Sequence, residues 1–269
     1  MKSIKIIIAT HKKYWMPDDD IYLPLHVGAE GKIDMNGKPL DLGYVKDNSG
    51  DNISLKNPYY CELTGLYWAW KNLDCEYLGL AHYRRHFTTK NKLQIKLAGK
   101  KECVLNREEL EKLLQKNDVL VPKVRHYYIE SLYSHYAHTH YEEHLIETRQ
   151  IIQEKYSDYL TSFDKVMNQK YGCMFNMFIM KKELANQYCE WLFSILDELE
   201  SKIDYTKYDA FQARLFGRVS ELLFNVWLDK ENIKIKQLNT IHMEKINWFV
   251  KGKAFLCAKF QNRKFEGSF

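Results

Sequence analysis

The run Ile4-Lys5-Ile6-Ile7-Ile8-Ala9-Thr10 constrains the fold more than any other stretch of the chain. A near-continuous β-branched segment of this kind suits a central parallel strand buried on both faces. It stops abruptly at the polar turn Thr10-His11-Lys12-Lys13 and is too short for a signal peptide, with no cleavage-site pattern before basic residues resume. A second buried run, Tyr77-Leu78-Gly79-Leu80-Ala81, leads straight into His82-Tyr83-Arg84-Arg85-His86. Open α/β sheets bind ligands at the carboxyl ends of their strands, so both cationic endings point to a ligand mouth.

Helical and strand patterns alternate along the rest of the chain, which predicts an α/β fold. Residues 14–57 carry many turn formers, among them Pro17, Gly28, Gly31, Asn36-Gly37, Gly43 and Asn48-Ser49-Gly50, and predict a long loop region with one short strand. Pro58 opens a helix running to Asn72, with Leu63, Leu66, Tyr67 and Trp70 on one apolar face. Helices are further predicted over 106–116, 133–155, 182–199 and 214–229, and strands over 118–122 and 171–180. One domain over 1–243 and a basic amphipathic C-terminal extension over 244–269 is the expected organisation.

Composition narrows the partners. The formal net charge of +5 favours an anionic small ligand or anionic membrane surface over nucleic acid. The 19 Tyr, 13 Phe and 6 Trp supply rings for packing and for stacking on a base or sugar. Six cysteines without any C-x-x-C pair indicate neither a zinc ribbon nor a disulfide framework, and a reducing cytoplasm follows as the expectation. No stretch reaches the roughly 18–20 apolar residues of a membrane span.

Four motifs carry candidate chemistry. Arg84 and Arg85, adjacent at a strand's end, form a receptor for a diphosphate; a solvated basic turn packed on Tyr83 is the plain alternative. Asp47-Asn48-Ser49-Gly50-Asp51-Asn52-Ile53-Ser54 reads either as a base- or metal-binding turn or as ordinary Asx-turn chemistry with a cap at Ser54. His140 to His144 spells the inverted zinc-peptidase pattern H-x-x-E-H, yet no third ligand is identifiable, and an exposed aromatic helix is the preferred reading. Glu221 sits among apolar neighbours where desolvation can make a carboxylate a usable base; a pair with Arg218 three residues earlier is equally open. The stretch Lys245–Lys264 mixes aromatic and basic residues and no acidic ones, suiting either an interfacial helix on anionic lipid or a docked terminal helix.

Taken together, Thr10-His11-Lys12, Asp47 to Asn57 with Cys61–Asn72, Gly79–Arg85, Asn176-Met177-Phe178-Ile179-Met180 and Ser220-Glu221 with Leu223 resemble the glycosyltransferases of bacterial capsular and exopolysaccharide clusters. That family carries an H-Y-R-R signature, and some members are galactofuranosyltransferases. The resemblance covers nearly the whole chain. It implies a GT-A-like single domain with a mixed, mainly parallel central sheet flanked by helices.

By the same resemblance Thr10, His11, Lys12, Asp47, Asp51, Asn52, Asn57, His82, Tyr83, Arg84 and Arg85 bind a UDP-sugar, with Asp47 accepting the uracil N3–H. Asn176, Tyr136 and His140 line the acceptor side, and Glu221 is the catalytic base. GT-A enzymes usually place a D-x-D motif, which holds a divalent metal, where this chain reads His82-Tyr83-Arg84, so no metal or other cofactor is expected to be required. The implied partners are a UDP-sugar donor, an oligosaccharide or undecaprenyl-linked acceptor and the inner face of the cytoplasmic membrane. A non-catalytic carbohydrate- or nucleotide-binding module stands as the alternative.

Overall fold

The computed structural model describes residues 2–244; the basic C-terminal stretch lies outside the described residues. The predicted first strand forms as β1 (Ile4–Thr10) and is followed by β2 (Tyr22–His26) and the short β3 (Val45–Lys46). The helix expected over 57–72 is two helices, α1 (Asn57–Tyr60) and α2 (Leu63–Asn72). They break at Cys61, whose φ of 54° and ψ of −130° lie in a region that side chains rarely enter. Next come β4 (Tyr77–His82), β5 (Arg85–Thr88), α3 (Lys92–Ala98), α4 (Arg107–Leu114) and β6 (Val119–Pro122). The chain continues through β7 (Arg125–His126), α5 (Leu132–Thr139), α6 (Glu143–Lys155), α7 (Leu160–Asn168) and β8 (Tyr171–Gly172). It ends its described course with β9 (Phe178–Lys181), α8 (Lys182–Lys202), α9 (Leu215–Lys230) and β10 (Ile235–His242).

Two compact units result. The first contains residues up to Lys123 with Asn176–Cys189 and Lys234–Met243; the second contains Val124–Phe175 and Glu190–Ile233. The eight-stranded sheet, ordered β3-β2-β1-β4-β5-β10-β6-β9, belongs wholly to the first unit. It is mixed: β3, β2, β1 and β4 run parallel, as do β10 and β6, whereas β5 and β9 pair antiparallel with their neighbours. One edge of β4 is shared, Tyr77–Leu80 pairing with β9 and His82 with Arg85 of β5.

Burial explains these choices. Ile4, Ile6, Ile7 and Ile8 of β1 and Leu78 and Leu80 of β4 are essentially inaccessible, each such side chain contributing about 1.5–3 kcal/mol of apolar transfer free energy. The α2 face formed by Leu63, Leu66 and Ala69 is buried in the same core. Gly65 lets this helix come close to the sheet, because a Cβ there would stand 2.7 Å from Val27 and 3.0 Å from Leu25. At the far end of α2 the Lys182 ammonium donates to the Ala69 and Trp70 carbonyls, both at 2.9 Å, closing the helix terminus with positive charge.

The second unit is helical, with α7 and α9 as its principal packed pair and the β7–β8 ribbon beside them. Asn225 of α9 fixes the chain after β8, accepting from the Cys173 N–H at 2.7 Å and donating to its carbonyl at 2.9 Å. The helix expected over 133–155 is divided at His140, whose extended backbone ends α5. No helix among the described residues is long and apolar enough to cross a membrane. Cys61, Cys75, Cys103, Cys173 and Cys189 are all free thiols.

Candidate active site

The His82-Tyr83-Arg84-Arg85 segment is a tight hairpin rather than a loose strand ending. His82 pairs with Arg85 across β4 and β5, leaving Tyr83 and Arg84 as the two-residue connection. Tyr83 is buried, and its amide donates to the Ala9 carbonyl at 3.3 Å, which ties the hairpin to the end of β1. Its ring is packed edge-on by His11 at 5.4 Å and Tyr14 at 5.0 Å. Lys12 Nζ and Arg84 Cζ each stand 5.2 Å from the same ring centroid. Tyr83 is thus the post around which Lys12 and Arg84, from two different strand ends, are gathered by cation–π attraction. The fold places His11, Lys12 and Arg84 against the Tyr83 ring, with Arg85 opposite His82 in the hairpin, and Tyr83 packs rather than presents its face.

Thr10 shapes the loop that carries Lys12. Its hydroxyl donates to the Lys12 carbonyl at 2.7 Å and accepts from the Lys12 amide at 3.3 Å, a Ser/Thr-type turn, and the residue itself is buried. Behind it, Gly28 adopts φ +65°, and a Cβ there would stand 2.5 Å from the Asn57 side chain. Only glycine fits that approach.

Asp47 requires a correction. Its side chain is completely buried and accepts four hydrogen bonds, from the Gly28 amide (2.8 Å), the Ala29 amide (3.1 Å), Ser54 Oγ (2.5 Å) and Thr64 Oγ1 (2.7 Å). A carboxylate offers about four acceptor positions, so none is left for a uracil N3–H. Asp47 instead knots the loop after β2 to the start of α2. The rest of the acidic turn is similarly occupied. Asp51 accepts from Tyr67 Oη at 3.1 Å, Asn52 Oδ1 accepts from the Ser54 amide at 3.1 Å, and Asn57 donates to the Cys61 carbonyl at 2.7 Å and Thr64 Oγ1 at 3.2 Å. Of these, Asp51 alone is exposed to an incoming ligand.

Asn176, expected on the acceptor side, is buried at the entrance to β9 and donates to Glu62 Oε1 at 2.8 Å. Glu62 stands at the start of α2, and the same oxygen lies 4.0 Å from His82 Nε2. In the sequence Glu62 is one carboxylate within the Cys61–Asn72 segment; the fold sets it beside His82, directly after the turn at Cys61.

In the second unit, the expected exposed aromatic helix is largely internal, a second correction. Tyr136 and His140 are buried. Tyr136 Oη contacts His144 Nδ1 at 2.9 Å, and His140 Nδ1 contacts Gln212 Oε1 at 2.8 Å. His144 Nε2 lies 3.2 Å from Tyr208 Oη. His140 Nδ1 and both ring nitrogens of His144 are therefore engaged, with Gln212, Tyr136 and Tyr208. This happens because α5 ends at His140 and the chain turns into α6, folding both histidines inward. Glu221 lies half-buried on α9, where its charge helps raise the Tyr127 and Tyr136 hydroxyl pKa values after burial, the dominant cause for both. Arg218 sits 4.2 Å above the Phe211 ring and donates to the Gln212 carbonyl at 3.4 Å.

Three histidines make stability pH-dependent. Burial pushes His86 down to about 4, with the Tyr83 backbone opposing and His82 adding to the effect. Among the described residues, neither His86 ring nitrogen has a hydrogen-bond partner of ordinary geometry. Burial likewise lowers His135 to about 4 despite its Glu130 partner, and His140 to about 2 with Arg218 contributing. All three are neutral when folded, whereas the unfolded chain protonates them near pH 6.5. Stability is then complete above about pH 6.5 and declines toward pH 4 as the unfolded state takes up protons, by roughly 2–3 kcal/mol for His86 alone. Urea midpoints measured from pH 7.5 to 5 should fall steadily, and His86→Phe should flatten the slope. An unchanged slope in that variant counts against the burial of a neutral His86.

The fold is thus a mixed α/β sheet at whose strand ends Lys12 and Arg84 are gathered around the buried Tyr83. Residues 5–232 match the family described as Domain of unknown function (DUF4422), and the chain belongs to that family. Among solved structures, the chain is similar to the apo structure of WbbM, a bifunctional glycosyltransferase, with 31% identity and a TM-score of 0.80. That likeness covers 90% of this chain and 46% of WbbM, so the chain spans about half the length of its solved relative. The shared fold is GT-A-like. No curated protein matches the chain.

Proposed function

We propose that this chain is a glycosyltransferase that moves a sugar, best assigned as galactofuranose from UDP-galactofuranose, onto a growing capsular or exopolysaccharide or a lipid-linked oligosaccharide. The observation that carries this reading is the assembly of Lys12 and Arg84 around Tyr83, with Arg85 beside them, on a fold shared with a glycosyltransferase. Guanidinium forks suit the diphosphate of a nucleotide-sugar, and the charge they supply stabilises the departing UDP.

The step is a single displacement with inversion. An acceptor hydroxyl oxygen attacks the anomeric carbon as its proton passes to the Glu221 carboxylate, and the bond from that carbon to the UDP oxygen breaks. The residues His82-Tyr83-Arg84 do not fit a divalent metal, because they offer no carboxylate pair where the D-x-D motif of GT-A enzymes would stand. The work of charge neutralisation is assigned to the arginines. The action at the inner face of the cytoplasmic membrane, on an undecaprenyl-linked glycan, belongs to the same proposal.

A screen of nucleotides and nucleotide-sugars by thermal shift, followed by assay for released UDP, tests the whole reading, since a ligand bound to the native state raises the apparent melting temperature by mass action. UDP-galactofuranose should stabilise the protein most and be consumed when a galactoside acceptor is added. Stabilisation by sugars or nucleotides without any turnover across acceptors would favour the non-catalytic binding module instead.

A further inference from the structure

The sheet's carboxyl end holds a carboxylate that the charge-neutralising machinery does not use. Glu62 is the N-cap residue of α2, and its side chain makes no capping hydrogen bond to the helix amides. Oε1 accepts from Asn176 Nδ2 at 2.8 Å and faces His82 Nε2 at 4.0 Å. The side chains of Glu62 and His82 are 13% and 15% exposed, so the contact is nearly enclosed. Oε2 accepts no hydrogen bond from the described residues and is not sealed from solvent.

The backbone on both sides of this contact is strained. Cys61, immediately before Glu62, has φ 54° and ψ −130°, and the chain enters β9 through Phe175 at φ 79° and Asn176 at φ 51°. Five non-glycine residues have positive φ among the described residues; Asn176 is one member of this pair, and Cys61 and Phe175 immediately precede its two members. Positive φ is disfavoured for a side chain, and packing alone gives no reason to tolerate it three times at one contact. The result is a carboxylate held from two sides with one oxygen open, beside His82, which is itself two residues before Arg84 in the hairpin.

A carboxylate repels the diphosphate that Arg84 and Arg85 attract. The next moiety of a nucleotide-sugar is a neutral polyol whose hydroxyls donate, and a fixed carboxylate oxygen is a strong acceptor for them. We propose that Glu62 Oε2 accepts a hydrogen bond from a hydroxyl of the transferred sugar, with Asn176 and His82 as positioning residues, which makes Glu62 a determinant of donor-sugar specificity. The proposal rests on the nucleotide-sugar reading.

Calorimetric titration of the full chain with UDP and with UDP-galactofuranose, in wild type, Glu62→Gln and Glu62→Ala, tests it. UDP affinity should change less than about twofold, while UDP-galactofuranose should bind about 10- to 100-fold more weakly to Glu62→Ala and by a smaller factor to Glu62→Gln, which keeps an acceptor oxygen. Equal loss of affinity for both ligands, or no loss for either, overturns the proposal while leaving the donor reading intact. Wild-type protein that binds neither ligand overturns the donor reading and this proposal with it.

Discussion

Replacing Arg84 and Arg85 together by alanine is expected to weaken UDP binding by roughly 1,000-fold, since a hydrogen bond to a charged group is worth about 1.5–3 kcal/mol and two guanidiniums are removed. Each single variant should lose about 10- to 100-fold. Arg84→Lys should recover part of the loss at that position, because an ammonium keeps the charge without the planar fork. The geometry makes Arg84 the cleaner probe. It stands at the hairpin tip beside Tyr83, whereas Arg85 belongs to β5 and its backbone pairs with both His82 and His242. Calorimetry with UDP measures the binding loss, and initial rates in chelator measure its chemical consequence. Full turnover in chelator that disappears in Arg84→Ala supports charge supplied by the protein alone. Strict manganese dependence of the wild type sinks that assignment and returns the diphosphate to a metal.

The strands that carry the candidate site are legible because their signal is contiguous. β1 forms over Ile4–Thr10 as its β-branched run dictates, and β4 extends the run at Tyr77 by only His82. The long amphipathic helices α8 and α9 follow their 3.6-residue pattern to within a few residues of the expected ends. What escaped the sequence were interruptions made by single residues. Cys61 stops a helix, and Phe175 with Asn176 divides the apolar run 171–180 into two strands, each by a left-handed backbone that no glycine announces. The hairpin at Tyr83-Arg84 was hidden for a related reason. Neither residue has positive φ, and the sequence lacks the Asn-Gly or Asp-Gly pair that marks the commonest two-residue turns. β10 escaped because Ile235–His242 buries only Leu238 and Ile241, too few apolar positions to show a period.

The same distinction governs the candidate site. Residue types that suit a diphosphate were visible as types, and the structure supplies their convergence on Tyr83. Asp47 shows the opposite case, an acidic residue in a polar turn whose chemistry is consumed by the loop that holds it. Nothing in the sequence separates an Asp that organises amides from one that awaits a base, because both need the same neighbours of Gly, Ser and Thr. Glu62 is the complement, a carboxylate whose value lies in what it leaves open.

Glu221→Gln is expected to lower kcat about 100- to 10,000-fold with UDP-galactofuranose affinity retained, the range that a positioned general base contributes. Gln keeps the shape and the hydrogen-bonding reach but cannot take the acceptor's proton, so the loss should appear in turnover and not in donor binding. The supporting observations belong to the second unit: Glu221 is half-buried on α9, its charge acts on the Tyr127 and Tyr136 hydroxyls, and its backbone carbonyl accepts from Asn225 at 2.8 Å, which fixes that turn of the helix. Single-turnover measurement with saturating donor isolates the chemical step. Because the wild-type rate should rise as a carboxylate ionises, the acidic limb of the pH–rate profile should vanish in the variant along with most of the rate. Near-normal turnover by Glu221→Gln with donor bound would move the base elsewhere, and Glu62 would become the first residue to test, since Oε2 is an open carboxylate oxygen beside the arginine hairpin. The two glutamates then separate by readout, a base through kcat and its acidic limb, a sugar-binding carboxylate through the difference between UDP and UDP-sugar affinity.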